Sequence, residues 1–101
     1  MSKNVSHEQI SVKDILDRHL ELRGKTVQLK GVFKGWHGNC HGGPPISKSD
    51  WMTEDGTGCI YVHGTLPSGL HPMAPKDESI SLIGVVHLTD KGIPYIDTTL
   101  P

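Results

Sequence analysis

The amino-acid sequence predicts a small all-β protein, a five-stranded antiparallel barrel with one short helix ahead of it. Three observations carry that expectation. Apolar residues alternate with period two over much of the chain after Lys25, twelve glycines and seven prolines punctuate it, and 101 residues leave room for a single core. Composition says less about function. The chain is 35% hydrophobic and 21% charged with a formal net charge of −1, which suits a folded domain and supplies no overall field for nucleic acid or anionic lipid.

Met1 to Gln9 is polar and has no apolar run of the kind a signal peptide or membrane span needs, so a flexible lead (1–9) into one domain (10–101) is expected. Two cysteines, Cys40 and Cys59, are too few for the disulfide framework of a small secreted domain. Reduced thiols, a cytoplasmic location and no membrane association follow as expectations.

The first element is helical. Ser11-Val12-Lys13-Asp14 has the form of a capping box, and Ile10 and Ile15 flank it as a hydrophobic staple. Val12, Ile15, Leu16, His19 and Leu20 recur at the spacing of one helical face, so about two to three turns should lie on the core and end near Gly24. Its polar face, Lys13, Asp14, Asp17, Arg18 and Glu21, mixes signs and reads as solvated.

From Lys25 to about Trp36, Val27, Leu29, Gly31 and Phe33 alternate with Thr26, Gln28, Lys30, Val32 and Lys34, the pattern of a long half-exposed strand. Gly31 and Gly35 within it suggest a bulge or strong bend. His37 to Pro45, rich in glycine and proline, must be a long loop. Trp51–Glu54 is a second strand, Asp55-Gly-Thr-Gly58 a tight turn, and Cys59–His63 the strand that returns from it. Pro67, Gly69, Pro72 and Pro75 exclude a long helix between Gly64 and Asp77. Ser79–Leu88 is the fourth strand, Asp90-Lys-Gly92 a second hairpin turn, and Ile93–Thr98 the fifth strand.

Three runs in this order, Leu22-Arg-Gly-Lys-Thr-Val-Gln-Leu-Lys-Gly31, Trp51-Met-Thr-Glu-Asp-Gly-Thr-Gly-Cys-Ile-Tyr-Val62 and Ser79-Ile-Ser-Leu-Ile-Gly84, resemble the OB-fold of the tRNA-anticodon-binding type. The resemblance spans roughly Ser11 to Thr99. It is similar in particular to short stand-alone OB-fold proteins of archaea and bacteria that carry a Gly/Cys/Pro-rich first loop before Ser-Asp-Trp. It implies a Greek-key barrel that binds single-stranded nucleic acid on its second and third strands, between the loop joining strands one and two and the loop joining four and five. Aromatic rings and a basic groove would supply the affinity.

Alternation along the third strand puts Ile60 and Val62 in the core and turns Cys59, Tyr61 and His63 outward. Trp36, Trp51 and Tyr61, with Lys30, Lys34 and Lys48 beside them, are therefore the candidate nucleic-acid residues, together with His63. Each tryptophan has a second reading, as a core plug or a cover for the long loop. From Gly24 onward six lysines face seven carboxylates and there is no arginine, so any nucleic-acid binding is expected to be weak. A protein-interaction module using the same face is the alternative.

His37, Cys40, His41, Cys59 and His63 include donors that zinc accepts, but Cys40 and His41 are adjacent, and Cys59 and His63 lie about 13 Å apart on an extended strand. A metal site, a Cys40–Cys59 pair and unpaired structural residues all remain open. No catalytic constellation and no cofactor site is expected: Asp50, Glu54 and Asp55 read as carboxylates that serve turn hydrogen bonds, and Ser47 and Ser49 lack a base.

Overall fold

Strand β2 (Thr26–Gly35) is shared between two neighbours, and that sharing closes the sheet. In the computed structural model, which describes residues 8–99, Thr26–Val32 pair antiparallel with Ser79–Val85 of β5 (Ser79–Leu88), while Val32–Gly35 pair with Met52–Glu54 of β3 (Trp51–Glu54). β4 (Cys59–His63) continues from β3, and β6 (Pro94–Asp97) lies between β4 and β5, so the order β2-β3-β4-β6-β5 returns to β2 as a closed five-stranded barrel, OB-fold-like. β3 and β4 are the expected second and third strands, with the bounds read from the sequence.

The sheet is mixed rather than antiparallel throughout. Val62 and His63 pair in parallel with Ile96 and Asp97. Parallel neighbours need a long connection, and here the chain crosses through 64–78 and the whole of β5 before β6 returns to β4. A further short strand, β1 (Glu8–Gln9), runs parallel to β2. It takes up the last two residues of the stretch expected to be a flexible lead; the remainder of that stretch lies outside the described residues.

Alternation sets the core. Val27, Leu29 and Phe33 of β2, Trp51 of β3, Ile60 and Val62 of β4, Leu82 and Val86 of β5 and Ile96 of β6 are buried in one cluster, which Ile10, Val12, Ile15 and Leu22 complete. Thr53 is buried among them without penalty because its hydroxyl donates to the Val32 carbonyl at 2.8 Å. Gly31 sits where β2 passes from β5 to β3. A Cβ there would lie 3.0 Å from Thr53 Oγ1 and closer still to the Glu54 carbonyl, so the crossing needs a residue without one.

The helical segment forms as two pieces, α1 (Val12–Asp17) and α2 (His19–Leu22). Arg18 between them, at φ −114° and ψ 27°, breaks the single face expected from the sequence. The second piece therefore buries Leu22 and leaves Leu20 73% exposed. No helix among the described residues is long and apolar enough to cross a membrane.

The first three amides of α1 would be orphans in an isolated helix. Asp14 N–H donates to Ser11 Oγ, completing the expected capping box, but Val12 N–H donates to Asp55 Oδ2 at 2.9 Å and Lys13 N–H to Thr57 Oγ1 at 3.0 Å. The β3–β4 turn thus caps the helix from across the molecule. Burial acts to raise the Asp55 carboxyl, but hydrogen bonds from Thr57 and from the Val12 amide outweigh it and hold the group below its ordinary value. A lowered folded value means that Asp55 stabilises the fold above about pH 4 and that this contribution disappears as pH falls through the folded value. Asp55→Ala should therefore cost about 1–2 kcal/mol at neutral pH, in the range of a lost helix cap, and flatten the acid limb of stability against pH. Denaturant unfolding of both proteins between pH 2 and 7 measures it.

Candidate functional site

The loop 36–50 leaves the end of β2 and returns to β3, so its course decides what the outer face of the barrel presents. Both of its ends are fixed. At the start, Trp36 N–H donates to the Pro72 carbonyl at 2.8 Å, its indole Nε1–H to the Ser49 carbonyl at 3.2 Å, and His37 Nε2–H to the Met73 carbonyl at 2.8 Å. At the finish stands Asp50, 2% exposed. Its Oδ2 accepts from the amides of Ile46 at 2.7 Å and Ser47 at 3.0 Å, and its Oδ1 accepts from His63 Nδ1–H at 2.6 Å. A carboxylate out of water is tolerable only with such a set of donors.

In the middle, Cys40 and Cys59 form a disulfide, with Cα atoms 5.9 Å apart across a separation of 19 residues. The expectation of reduced thiols is thereby corrected, and the open alternatives for these cysteines resolve to a pair. The cause is alternation combined with loop path: Cys59 points outward from β4, and Cys40 is brought over it. Among the described residues no group of three or more His, Cys, Asp or Glu is placed to hold a metal ion. Of the possible zinc donors, His37 is engaged at the loop base, His41 is exposed, and His63 serves Asp50.

The expected aromatic platform does not assemble. Trp51 points inward and packs on Phe33 with ring centroids 5.4 Å apart, its indole N–H donating to the Gly64 carbonyl at 3.3 Å. The core reading of this residue holds. Tyr61 does face outward, yet it is only 8% exposed: it forms a buried cluster with Met52 and Tyr95, and the loop residue Cys40 packs against that cluster. Trp36 is 42% exposed, at the base of the loop.

The lysines are scattered as well. Lys34 is held by Asp77 at 2.8 Å and Glu54 at 3.6 Å, contacts that raise its pKa, chiefly through the Asp77 hydrogen bond, and spend its charge locally. Lys48 is exposed on the loop. Lys30 belongs to a cleft of about 590 Å³ walled by Val32, Glu54, Ser79 and Ile80, away from Tyr61.

A second cleft, of about 480 Å³, opens between the loop and the β5–β6 hairpin, walled by Gly42, Pro44 and Ile46 on one side and Thr89, Lys91 and Ile93 on the other, with Tyr95 lining it. Gly42 has φ +78°, a backbone conformation that favours glycine, and it lies against the Ile93 side chain where the loop meets the hairpin. His87 stacks on Tyr95 at this edge, centroids 5.8 Å apart and planes 25° apart, with its side chain 44% exposed. Burial, and then the charges of Asp97 and Asp50, push the Tyr95 hydroxyl upward, so it remains a neutral donor. Burial also works to raise Asp97, but the Thr99 hydroxyl and amide, with His87 and His63, carry it below its ordinary value.

His87, Tyr95 and Asp97 were not among the residues expected at the site. The Pro-Tyr-Ile-Asp alternation of β6 turns Tyr95 and Asp97 outward, but their neighbourhood with Tyr61 and His63 depends on the parallel β4–β6 pairing. A buried aspartate on an imidazole Nδ1 is also how hydrolases orient a histidine. Here Ser47 Oγ contacts Asp50 Oδ1 at 3.4 Å rather than the imidazole, and among the described residues no hydroxyl is hydrogen-bonded to His63 Nε2. The pair is an anchor for the loop. No family model matches the chain, and no curated protein is significantly similar to it.

Asp50→Ala should cost about 2–3 kcal/mol, the penalty for stranding part-buried donors, while Asp50→Asn, which keeps one acceptor oxygen, should cost less. Chemical denaturation of the three proteins at neutral pH checks the order.

Proposed function

We propose that this chain is an OB-type binding module, not an enzyme, that takes a short stretch of single-stranded nucleic acid in the groove between loop 36–50 and the β5–β6 hairpin. One observation carries the reading: an open groove of about 480 Å³ is lined by Tyr95, whose ring stacks on the part-exposed imidazole of His87, with Lys91 on the groove wall. A base laid on the exposed imidazole would gain stacking, and the lysine would meet a phosphate. The likeness to anticodon-binding OB-folds supports the same substrate class. The groove replaces the β3–β4 face expected from the sequence, since Tyr61 there lies under the loop.

Binding is weak in this proposal. Six lysines against seven carboxylates after Gly24 leave the barrel without a basic channel, and Lys34 is already paired. In a cytoplasm of the kind expected from the sequence, thiol pools keep accessible disulfides reduced, so the groove reading applies to the oxidised, clasped chain.

A protein partner is the second reading, favoured by a different observation. Trp36 and Met73, 42% and 73% exposed, stand on two segments joined at the loop base by the Trp36 N–H to Pro72 carbonyl and His37 to Met73 carbonyl bonds. Exposed apolar side chains there suit another protein's surface.

Titration of isotope-labelled chain with short DNA and RNA strands separates the two. The nucleic-acid reading expects shifts at His87, Thr89–Ile93 and Tyr95, affinity that falls with salt, and a loss of about fivefold in His87→Ala, the low end of a stacked base. An unperturbed groove at millimolar ligand overturns it.

A further inference from the structure

We infer that the Cys40–Cys59 disulfide is a site of reversible thiol–disulfide exchange, and that opening it releases the loop tip 38–45 and uncovers Tyr61. The argument rests on what else holds that tip. Its flanks are fixed by Trp36, His37 and Asp50, as above. Between them, the tip has a backbone hydrogen bond within itself, Gly43 N–H to the Cys40 carbonyl at 3.4 Å, and the approach of Gly42 to the Ile93 side chain. Cys59 Sγ lies 3.9 Å from the Asn39 carbonyl, but a disulfide sulfur has no proton to donate. The covalent bond is thus the strongest tie between tip and barrel.

Three features make the tie releasable. Cys40 and Cys59 are both only partly buried, so a reductant can reach the sulfurs. Gly38, Gly42 and Gly43 all hold positive φ, a conformation with little intrinsic preference once the constraint is gone. The barrel core beneath, from Val27 to Ile96, is a separate cluster from Met52, Tyr61, Tyr95 and Cys40, so the cover can lift without opening the core.

The reductant is a dithiol. One of its thiolates attacks Cys40 or Cys59 sulfur, the S–S bond breaks and a mixed disulfide forms; its second thiol then displaces the protein sulfur. Two electrons and two protons pass to the protein, Cys40 and Cys59 become thiols, and the dithiol becomes a disulfide. With Cys40 free to leave, Tyr61 joins Tyr95 as an outward ring on adjoining strands. Any gain in nucleic-acid binding rests on the function proposed above; the exposure of Tyr61 does not.

The test compares the full chain, oxidised and after dithiothreitol, by thiol alkylation, amide hydrogen exchange and peptide-mapped nitration of tyrosine. The Cys40→Ser, Cys59→Ser double variant serves as a form without the bond. Reduction should make both cysteines alkylatable, speed exchange over 39–43 by about tenfold or more while β2 and β5 keep their protection, and raise nitration of Tyr61. Three results would overturn the inference: a disulfide that resists dithiothreitol, free thiols with Tyr61 still protected, or loss of protection throughout the barrel. Oligonucleotide titration of both forms is read separately. Unchanged affinity with an exposed Tyr61 removes the groove reading and leaves the exchange site standing.

Discussion

A carboxylate removed from water beneath a loop has few stable arrangements, and Asp50 has found one. Its two oxygens collect the amides of Ile46 and Ser47 and the imidazole of His63. That set fixes the end of the loop on β4 at the same point where the next residue, Trp51, enters the core. The side chains of neighbouring residues are thus committed to opposite faces, one by charge and one by burial. The path of the loop, the cover over Tyr61 and the wall of the groove beside Tyr95 all follow from this anchor together with the disulfide.

The same anchor decides which parts of the outer face of the barrel stay open to solvent. A ligand crossing β3 and β4 would need Met52 and Tyr61, and the loop lies on them through Cys40. The space that the loop leaves open lies toward the β5–β6 hairpin, where Tyr95 and Lys91 line it. Here the cover is tied by a bond whose state depends on the surrounding thiols.

Much of the fold was legible in the sequence. Period-two alternation marked β2 and the faces of β4, turn residues and β-branched density bounded β3, β4 and β5 at their observed ends, and the Ser11–Asp14 box marked the start of the helix. What alternation cannot convey is what lies over an outward residue. Tyr61 was rightly turned away from the core, yet it is buried by a loop whose glycines and prolines carry no periodic signal. Trp51 was ambiguous because a strand's first residue can face either way until its partner is known. The parallel β4–β6 pairing is a long-range fact, and the Asp50–His63, Cys40–Cys59 and Asp55–Val12 contacts depend on topology in the same way. The break at Arg18 has no glycine or proline to announce it.

The central claim is that the loop lies on the outer face of the barrel, with Cys40 packed on the cluster of Met52, Tyr61 and Tyr95. The most direct measurement is the nuclear Overhauser spectrum of the oxidised protein, read at the Tyr61 ring protons. Contacts from that ring to the Cys40 β-protons and the Met52 side chain are expected. A Tyr61 ring with contacts to Met52 and none to any residue of the loop would contradict the account.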